Sequence, residues 1–236
     1  MKIEGSVALV TGANRGLGAA FCRTLLDRGA TKVYAGARDV QAVTSDGVNP
    51  LRLDVTSAAD IAAAADRCGD VTLLVNNAGI GTGTSVLADD ALDAARLEFE
   101  TNVFGPLALN RAFAPALAAN GGGAIVNVLS VLSWVSRPAT AIYCASKAAG
   151  WSLTNALRQE LLGQHTQVLG LYVGYMDTDM TAGIDAPKSD PFAVAGLTLD
   201  GVESGAHEVL ADDISRHVRG ALSGDLAELY PQLDRR

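Results

Sequence analysis

The sequence predicts a single α/β domain built on a doubly wound parallel sheet, with helices on both faces. Short apolar runs alternate with segments of helical periodicity, and such runs are typical of strands buried on both faces. The 236 residues are 49% hydrophobic and 19% charged, which is enough apolar material for one sizeable core. The sequence contains no repeat, low-complexity tract or interdomain linker. We therefore expect one domain over residues 1–236.

The strands are predicted from short apolar runs bounded by turn-forming residues. The first run ends in a Gly-rich turn, and each later run follows a segment with helical spacing. The predicted strands are Ser6–Thr11, Lys32–Ala37, Leu51–Val55, Val71–Asn76, Ala124–Leu129, Gln167–Val173 and His207–Leu210.

The helices follow from apolar residues at helical spacing and from residues that cap or end a helix. Leu17, Phe21 and Leu25 share one face of the first helix, and Gly29 ends it. Thr56–Ser57 has the side chains that cap the second helix. The predicted helices are Leu17–Arg28, an Ala-rich segment to about Cys68, Ala91–Asn120, Ala141–Leu162, Pro191–Glu203 and Ile214–Leu222. Right-handed crossovers between parallel strands make this alternation a doubly wound fold.

One long segment carries no predicted helix or strand for most of its length. Residues 179–192 are rich in Gly, Asp, Pro and Ser. Connections of that length in compact domains are often lids over a binding site. We expect a flexible substrate loop there.

The charge of the chain argues against nucleic-acid binding. The net charge is −8, and Lys and Arg form no dense block. The apolar runs are also shorter than the roughly 20 residues that a membrane span needs. The expected partners are therefore small molecules.

Cysteine and histidine usage predicts a reducing setting and no metal. The cysteines are odd in number, form no Cys-x-x-Cys pair, and no signal-like segment begins the sequence, so we expect a cytoplasmic protein. The histidines are scattered and lack ligand spacing. These residues are Cys22, Cys68, Cys144, His165, His207 and His217.

A Gly-rich turn between the first strand and first helix is typical of a nucleotide phosphate site. Its spacing is Gly-x-x-x-Gly-x-Gly. Gly12 permits a tight turn, Gly16 lets a pyrophosphate approach the backbone, and Gly18 lets the helix pack closely. The helix N-terminus offers unpaired N–H groups to phosphate. The candidate contacts are Gly12, Asn14, Arg15, Gly16, Leu17 and Gly18.

The end of the second strand favours NADP(H) over NAD(H). NAD sites usually place an acidic residue there to hold the ribose 2′-hydroxyl. Here Ala37 ends the strand and Arg38 follows it, while Arg15 lies in the Gly-rich turn. Two guanidinium groups suit a 2′-phosphate, although both arginines could instead be solvated. A register shift of one residue would place Asp39 at the ribose.

Tyr143 and Lys147 lie four residues apart in a predicted helix and therefore share one face. A free tyrosine has a pKa of about 10, too high for efficient proton transfer at neutral pH. A neighbouring ammonium group lowers that pKa because it stabilises the phenolate. Such a pair by itself is also common on helix surfaces.

A serine follows the fifth predicted strand, at the edge where ligands bind in open α/β sheets. The Ser130 hydroxyl there could bond a substrate oxygen beside Tyr143. A plain turn serine is the alternative for Ser130, and Ser133 is a rival for the role.

These motifs, in this order, resemble the short-chain dehydrogenase/reductase family, in its one-domain branch with a Rossmann-like fold. The resemblance spans about Ser6–Thr178. The motifs that carry it are Thr11–Gly18, Asn76-Asn77-Ala78-Gly79, Asn102, Ser130 and Tyr143-Cys144-Ala145-Ser146-Lys147.

The resemblance implies a catalytic role for four residues. Tyr143 resembles the general acid/base, and Lys147 the residue that lowers its pKa and holds the nicotinamide ribose. Ser130 resembles the hydroxyl that orients substrate. Asn102 resembles the residue that positions a water in the proton relay.

The resemblance also implies cofactor contacts along the strand ends. Asp54 resembles the acid beside the adenine. Asn76, Ala78 and Gly79 resemble the stretch that supports the sheet and lines the adenine ribose. The other cofactor contacts that we expect are Arg38, Val55, Tyr143, Lys147, Val173, Gly174, Met176 and Thr178.

The chain departs from the family pattern at two places. Val173 stands where the family has a proline before Gly174, which leaves the nicotinamide-flanking turn less restrained. The tail lacks the family's Asp-Gly-Gly ending, and its last predicted strand is short. That edge often carries a subunit contact, so a homodimer and a homotetramer are both expected outcomes.

We predict an NADP(H)-dependent oxidoreductase of the carbonyl reductase or alcohol dehydrogenase type. It would move a hydride between nicotinamide and a hydrophobic ketone or aldehyde, or a secondary alcohol. The apolar pocket is predicted from Val131, Leu132, Trp134, Val135, Ile142, Val173, Tyr175, Met176 and the loop from Asp179 to Phe192, although several of these, Ile142 above all, could instead pack the core. The alternative is a non-catalytic NADP(H)-sensing protein, which would not need the four catalytic-type residues together. A sugar-nucleotide epimerase or dehydratase would need an added substrate domain.

Overall fold

Helices and strands alternate along the chain in a computed structural model that describes residues 1–234. The strands are β1 (Val7–Thr11), β2 (Lys32–Ala37), β3 (Asn49–Arg52), β4 (Leu73–Asn76), β5 (Gly123–Val128), β6 (Thr166–Tyr172) and β7 (Glu208–Leu210). The helices are α1 (Gly16–Asp27), α2 (Ala58–Arg67), α3 (Ala91–Phe99), α4 (Gly105–Ala119), α5 (Ala141–Glu160), α6 (Pro191–Ser204), α7 (Asp213–Ala221) and α8 (Leu226–Leu229).

The strands form one parallel sheet in the order β3-β2-β1-β4-β5-β6-β7. The order reverses direction between β1 and β4, so a crevice opens beyond their carboxyl ends. One apolar core, with Phe21 and Leu199, covers the α1 and α6 face. A second, with Ile61 and Phe113, covers the α2 and α4 face. The predicted doubly wound sheet with helices on both faces is confirmed.

The third strand begins earlier than the prediction of Leu51–Val55. It pairs with β2 from Asn49 to Arg52. β3 includes Pro50, which the sheet tolerates because β3 is an edge strand, where a proline need not donate to the sheet. The chain then leaves the sheet, so Asp54 and Val55 follow the strand end.

The predicted helix Ala91–Asn120 is interrupted. Residues Glu100–Phe104 form a π-helical turn between α3 and α4. A Cβ at Gly105, the first residue of α4, would lie only 2.9 Å from the Val55 carbonyl oxygen. The irregular turn therefore lies where the helix passes closest to the chain that leaves β3, and π turns of this kind are frequent at functional sites.

The segment expected to be a flexible loop has a hydrogen-bonded base. Met176 and Ser189 form an isolated bridge, and Ser189 N donates to Tyr175 O at 2.8 Å. Asp190 caps α6, which begins at Pro191, so the helix takes the last two residues of the predicted loop.

Two kinds of feature are absent from the part of the chain that the structure describes. In residues 1–234, no helix is long and apolar enough to cross a membrane. Within the same range, no group of three or more His, Cys, Asp or Glu side chains could hold a metal ion.

Candidate active site

The Gly-rich turn has the backbone that its glycines predict. Gly12 and Gly16 have φ of 63° and 53°, in the left-handed region that glycine adopts without strain. A Cβ on Gly18 would collide with the Gly12 carbonyl oxygen. Leu17 is buried in the apolar core, so only its backbone N–H remains for a ligand. The start of α1 therefore offers free backbone N–H groups beside the point where the strand order reverses. Such a site fits a pyrophosphate.

Asn77 braces this turn and was missed as a site residue by the sequence analysis. Its Nδ2 donates to Thr11 O at 2.8 Å and to Gly12 O at 3.2 Å. The Thr11 hydroxyl in turn accepts from Asn77 N and Ala78 N, each at 3.0 Å. The signal was present in the Asn-Asn-Ala-Gly motif, but spacing alone does not show which amide turns toward β1.

The register at the end of β2 places Arg38 first after the strand. Asp39 instead accepts a hydrogen bond from Gln41 N at 2.9 Å and caps a short 3₁₀ turn, Val40–Ala42. The shift that would bring Asp39 to a ribose is therefore not seen. Arg38 is exposed beside the cleft, whereas Arg15 is paired with Asp179 of the substrate loop at 3.0 Å.

Asp54 and Val55, the residues predicted to contact an adenine, follow the end of β3. The carboxylate of Asp54 accepts from Thr56 N at 3.0 Å and from Thr56 Oγ1 at 2.8 Å. The backbone N–H of Thr56 is the main cause that lowers the pKa of Asp54 from its usual value. Val55 is buried.

Asn76 is buried and supports the sheet. Its Nδ2 donates to Asn110 Oδ1 at 2.7 Å and to Asn127 Oδ1 at 2.8 Å. Asn127 continues the network to Thr154 Oγ1 at 3.0 Å. This buried chain joins β4, α4, β5 and α5, and thereby fixes the helix that carries Tyr143.

Tyr143 and Lys147 lie on successive turns of α5, as predicted. The Lys147 ammonium is 5.6 Å from the centroid of the Tyr143 ring, and it donates to Val128 O at 2.8 Å. Burial lowers the pKa of Lys147 to about 8, while the charge of Glu98 acts in the opposite direction.

Lys147 was expected to lower the pKa of Tyr143. The side chains around Tyr143 have the opposite effect, so this expectation is wrong. Burial raises the pKa of Tyr143 above its usual value, and the negative charge of Glu98 raises it further. The sequence could place the two side chains on one face, but it could not show how deeply they are buried or that a carboxylate lies nearby.

Asn102 lies in the π turn and forms hydrogen bonds with the chain that follows β4. Its Oδ1 accepts from Ile80 N at 2.9 Å, and its Nδ2 donates to Ile80 O at 2.8 Å and to Ser146 Oγ at 3.0 Å. A Cβ on Gly79 would lie 3.3 Å from Asn102 Oδ1 and 3.7 Å from Lys147 Nζ. The structure therefore brings Gly79, Asn102 and Lys147 together.

Ser130 follows the end of β5 and is buried. Its hydroxyl accepts from Leu132 N at 3.1 Å and donates to Val173 O at 3.4 Å. The rival Ser133 accepts from Ser130 N at 3.3 Å and completes a capping box with it. Ser133 thus fixes the turn in which Ser130 lies.

The turn after β6 has a restraint that replaces the missing proline. Val173 is buried, and Gly174 N donates to Asp212 Oδ2 at 2.6 Å. Asp212 also caps α7 through Ser215 N at 2.8 Å. A carboxylate at the start of α7 thereby holds the backbone that lost its rigid residue.

The last predicted cofactor contacts lie where the substrate loop meets the Gly-rich turn. Thr178 Cγ2 would be 3.2 Å from a Cβ on Gly16, and Met176 O accepts from the Thr181 hydroxyl. Thr178 therefore lies against the Gly-rich turn.

The predicted apolar pocket needs two corrections. Trp134 stacks on buried Tyr172 at 4.1 Å between ring centroids, so one of its faces packs against the core. Arg137, which the sequence analysis did not single out, is exposed and donates to Tyr175 Oη at 2.6 Å. One cation therefore stands among the residues expected to line the pocket.

Comparison with known proteins agrees with this geometry. The sequence model of the short chain dehydrogenase family matches residues 6–189. A solved short chain dehydrogenase from Burkholderia cenocepacia J2315, in complex with NADP, is 42% identical over 100% of both chains, with a TM-score of 0.94. A short chain dehydrogenase/reductase from Burkholderia phymatum, in complex with NAD, is 27% identical with a TM-score of 0.85 and covers 100% of this chain and 97% of that one. A galactitol 2-dehydrogenase (L-tagatose-forming) from Cereibacter sphaeroides is 36% identical over 76% of this chain and 75% of its own. The chain belongs to the short chain dehydrogenase family.

Proposed function

We propose that this oxidoreductase uses NADP(H) to interconvert a hydrophobic ketone or aldehyde with the corresponding alcohol. The observation that carries the proposal is the placement of Tyr143 and Lys147 on successive turns of α5, with Asn102 and the chain after β4 packed against them. A sensing protein would not need a partly buried phenol beside a buried ammonium, because burying an unpaired polar or charged group is unfavourable for stability.

The cofactor preference rests on the end of β2. Arg38 is the first side chain after the strand, and the Asp39 carboxylate is engaged by its own turn. An exposed guanidinium at that point favours a 2′-phosphate over a hydroxyl. The relative with 42% identity was solved with NADP, which supports the same preference, although the more distant one was solved with NAD.

Each residue of the constellation has a distinct task in this proposal. When bound, the nicotinamide would supply or accept the hydride at the substrate carbon. Tyr143 donates its phenolic proton to the oxygen that develops negative charge in reduction. Ser130 orients that oxygen through its hydroxyl. The Lys147 ammonium stabilises the phenolate that remains, and Asn102 holds the surrounding backbone.

The proposed substrate class rests on the side chains predicted to line the pocket. Val131 and Ile142 are buried and apolar, and the segment 176–192 supplies further apolar side chains. Arg137 donates a hydrogen bond to Tyr175 and brings a cation to this predicted lining, so a ketone with an acidic group at its far end is a second class to include in the assay.

Parallel kinetics with NADPH and NADH across aliphatic, aryl and carboxylated ketones test the proposal. Tyr143→Phe serves as the inactive control variant, because it removes only the phenolic hydroxyl group. We expect NADPH to be preferred and turnover in the variant to fall by about 100- to 10,000-fold, with NADPH affinity nearly unchanged. Tight NADPH binding by the parent chain without turnover of any ketone would revive the sensing protein.

A further inference from the structure

Glu98 is a fully buried carboxylate that the catalytic roles above do not use. Its exposed fraction is 0%, and it lies on α3 one turn before Asn102. Glutamate is almost never fully buried without a partner, and an apolar residue would cost far less at such a position. The buried charge therefore requires an explanation.

Glu98 and Asn102 hold alternate residues of one loop. Asn102 binds the N–H and the carbonyl of Ile80. Glu98 Oε1 accepts from the N–H and from the hydroxyl of Thr82, both at 2.6 Å. The residue between them, Gly81, rests against the active site, because a Cβ there would lie 3.3 Å from Cδ2 of the Tyr143 ring.

A second path leads from Glu98 to the start of α5. The hydroxyls of Thr82 and Thr84 are 2.9 Å apart, and Thr84 O accepts from Ile142 N at 3.4 Å. Ile142 directly precedes Tyr143. The carboxylate thus fixes both the backbone behind the phenol ring and the helix turn that carries it.

The carboxylate also acts on the site by its charge. Its second oxygen, Oε2, is buried and has no hydrogen-bond partner among the described protein atoms. The titratable groups that it influences both come from α5: its negative charge raises the pKa of Tyr143 and of Lys147. Cys144, also on α5, acts on Tyr143 in the same direction, and the loop contributes only the hydroxyls of Thr82 and Thr84.

We propose that Glu98 is a positioning residue of the active site, which holds the loop 80–84 against the Tyr143 ring through its two bonds to Thr82 and contributes a negative charge to the surroundings of Lys147. The kinetic test of this inference rests on the proposed function. The NMR titration of Lys147 does not, because it needs neither cofactor nor substrate.

The titration of Lys147 tests the electrostatic part without any substrate. The chain has only three other lysines, Lys2, Lys32 and Lys188, so Nζ signals in NMR of the lysine-labelled protein are readily assigned with Lys147→Arg. The parent chain should titrate near pH 8 at Lys147. Glu98→Gln, which keeps an oxygen acceptor but removes the charge, should lower that midpoint. Glu100→Gln, an exposed neighbour on the same helical stretch, should leave it unchanged.

Kinetics test the positioning part. Glu98→Ala removes both bonds to Thr82 and should lower kcat by about 10- to 100-fold, since small displacements of reacting groups carry penalties of that size. Glu98→Gln should retain more of kcat than Glu98→Ala, while the high-pH decline of reduction moves to lower pH. NADPH affinity should be unchanged in both variants.

An unchanged Lys147 midpoint in Glu98→Gln overturns the proposal, and so does parental kcat in Glu98→Ala. If Glu98→Ala does not fold, Thr82→Val, which removes one of the two bonds, takes its place with a smaller expected loss of kcat. Absence of turnover by the parent chain contradicts the proposed function but leaves the NMR result to decide on Glu98.

Discussion

Arg15 of the Gly-rich turn and Asp179 of the substrate loop form an ion pair of 3.0 Å in which both side chains stay largely exposed, at 71% and 74%. Arg15 was expected to bind a 2′-phosphate, and in the structure it already has an anionic partner. Asp179 and a phosphate would therefore compete for one guanidinium group. Exposed pairs of this kind are worth about 0.2–1 kcal/mol.

Asp179→Asn should tighten NADPH binding by about two- to fivefold, the factor that corresponds to an exposed ion pair. NADH binding should not change, because NADH has no 2′-phosphate. Fluorescence titration measures both constants. Asp213→Asn is the control, since Asp213 forms a similar exposed pair with Arg216 on α7. Equal effects on NADPH and NADH would show that Arg15 does not meet the phosphate.

Arg38→Asp should shift the preference from NADPH to NADH. We expect kcat/KM with NADPH to fall by about 10- to 100-fold, the value of a hydrogen bond to a charged group. The new carboxylate suits a ribose hydroxyl, so activity with NADH should be kept or improved. Steady-state kinetics with both cofactors give the ratio. An unchanged ratio would mean that Arg38 faces solvent.

The rate of reduction should decline as the pH rises through about 8, where buried Lys147 loses its proton. The sign follows because a neutral amine no longer stabilises the phenolate, so Tyr143 becomes a weaker proton donor. A pH profile of kcat/KM measures the decline. In Lys147→Arg the charge persists to high pH, so the decline near pH 8 should vanish even though the maximal rate is lower.

Gly81→Ala should lower kcat by about tenfold, because the new methyl group would press on the Tyr143 ring and displace the phenol. The substitution should leave the fold intact, which circular dichroism checks. Gly69→Ala is the matched control, since a Cβ there meets nothing within 4 Å. A variant at position 81 with the parental kcat would show that the ring yields without consequence.

Asp212→Ala should reduce the free energy of unfolding by about 1–2 kcal/mol, since it removes the cap of α7. It should also weaken cofactor binding, because Gly174 loses its hydrogen bond. Urea denaturation and NADPH titration measure the two effects. Asp225→Ala provides the comparison, because Asp225 begins α8 without a side-chain cap bond and should change neither quantity.

Periodicity and turn chemistry predicted most of the fold because buried strands and amphipathic helices leave a local signature. Lys32–Ala37 was predicted with its observed bounds, and the Ser57 cap of α2 is seen. The third strand was misplaced because its pairing depends on β2, which local sequence does not reveal. The short helix α8 was not predicted.

The cytoplasmic location stays a prediction, and so does the assembly into a homodimer or homotetramer. Light scattering would measure the number of subunits.

Only the parts of the site that belong to sequence motifs could be predicted. Tyr143, Lys147, Asn102 and Ser130 were found by spacing and resemblance. Contacts between residues distant in sequence gave no such signal, as at Glu98 with Thr82. Whether a group's pKa rises or falls depends on burial and neighbouring charge, so the Lys147 and Tyr143 shifts needed the three-dimensional structure.

The π turn at Glu100–Phe104 makes this part of the chain intolerant of changes in length. Each residue added to or removed from a helix rotates the remainder of that helix by about 100°. Deleting one residue between Glu98 and Asn102 would favour a regular α-helix, and it would also change the spacing of the two side chains relative to the loop that both hold. Relatives that gain or lose a residue here would need different contacts to hold the loop that packs against Tyr143.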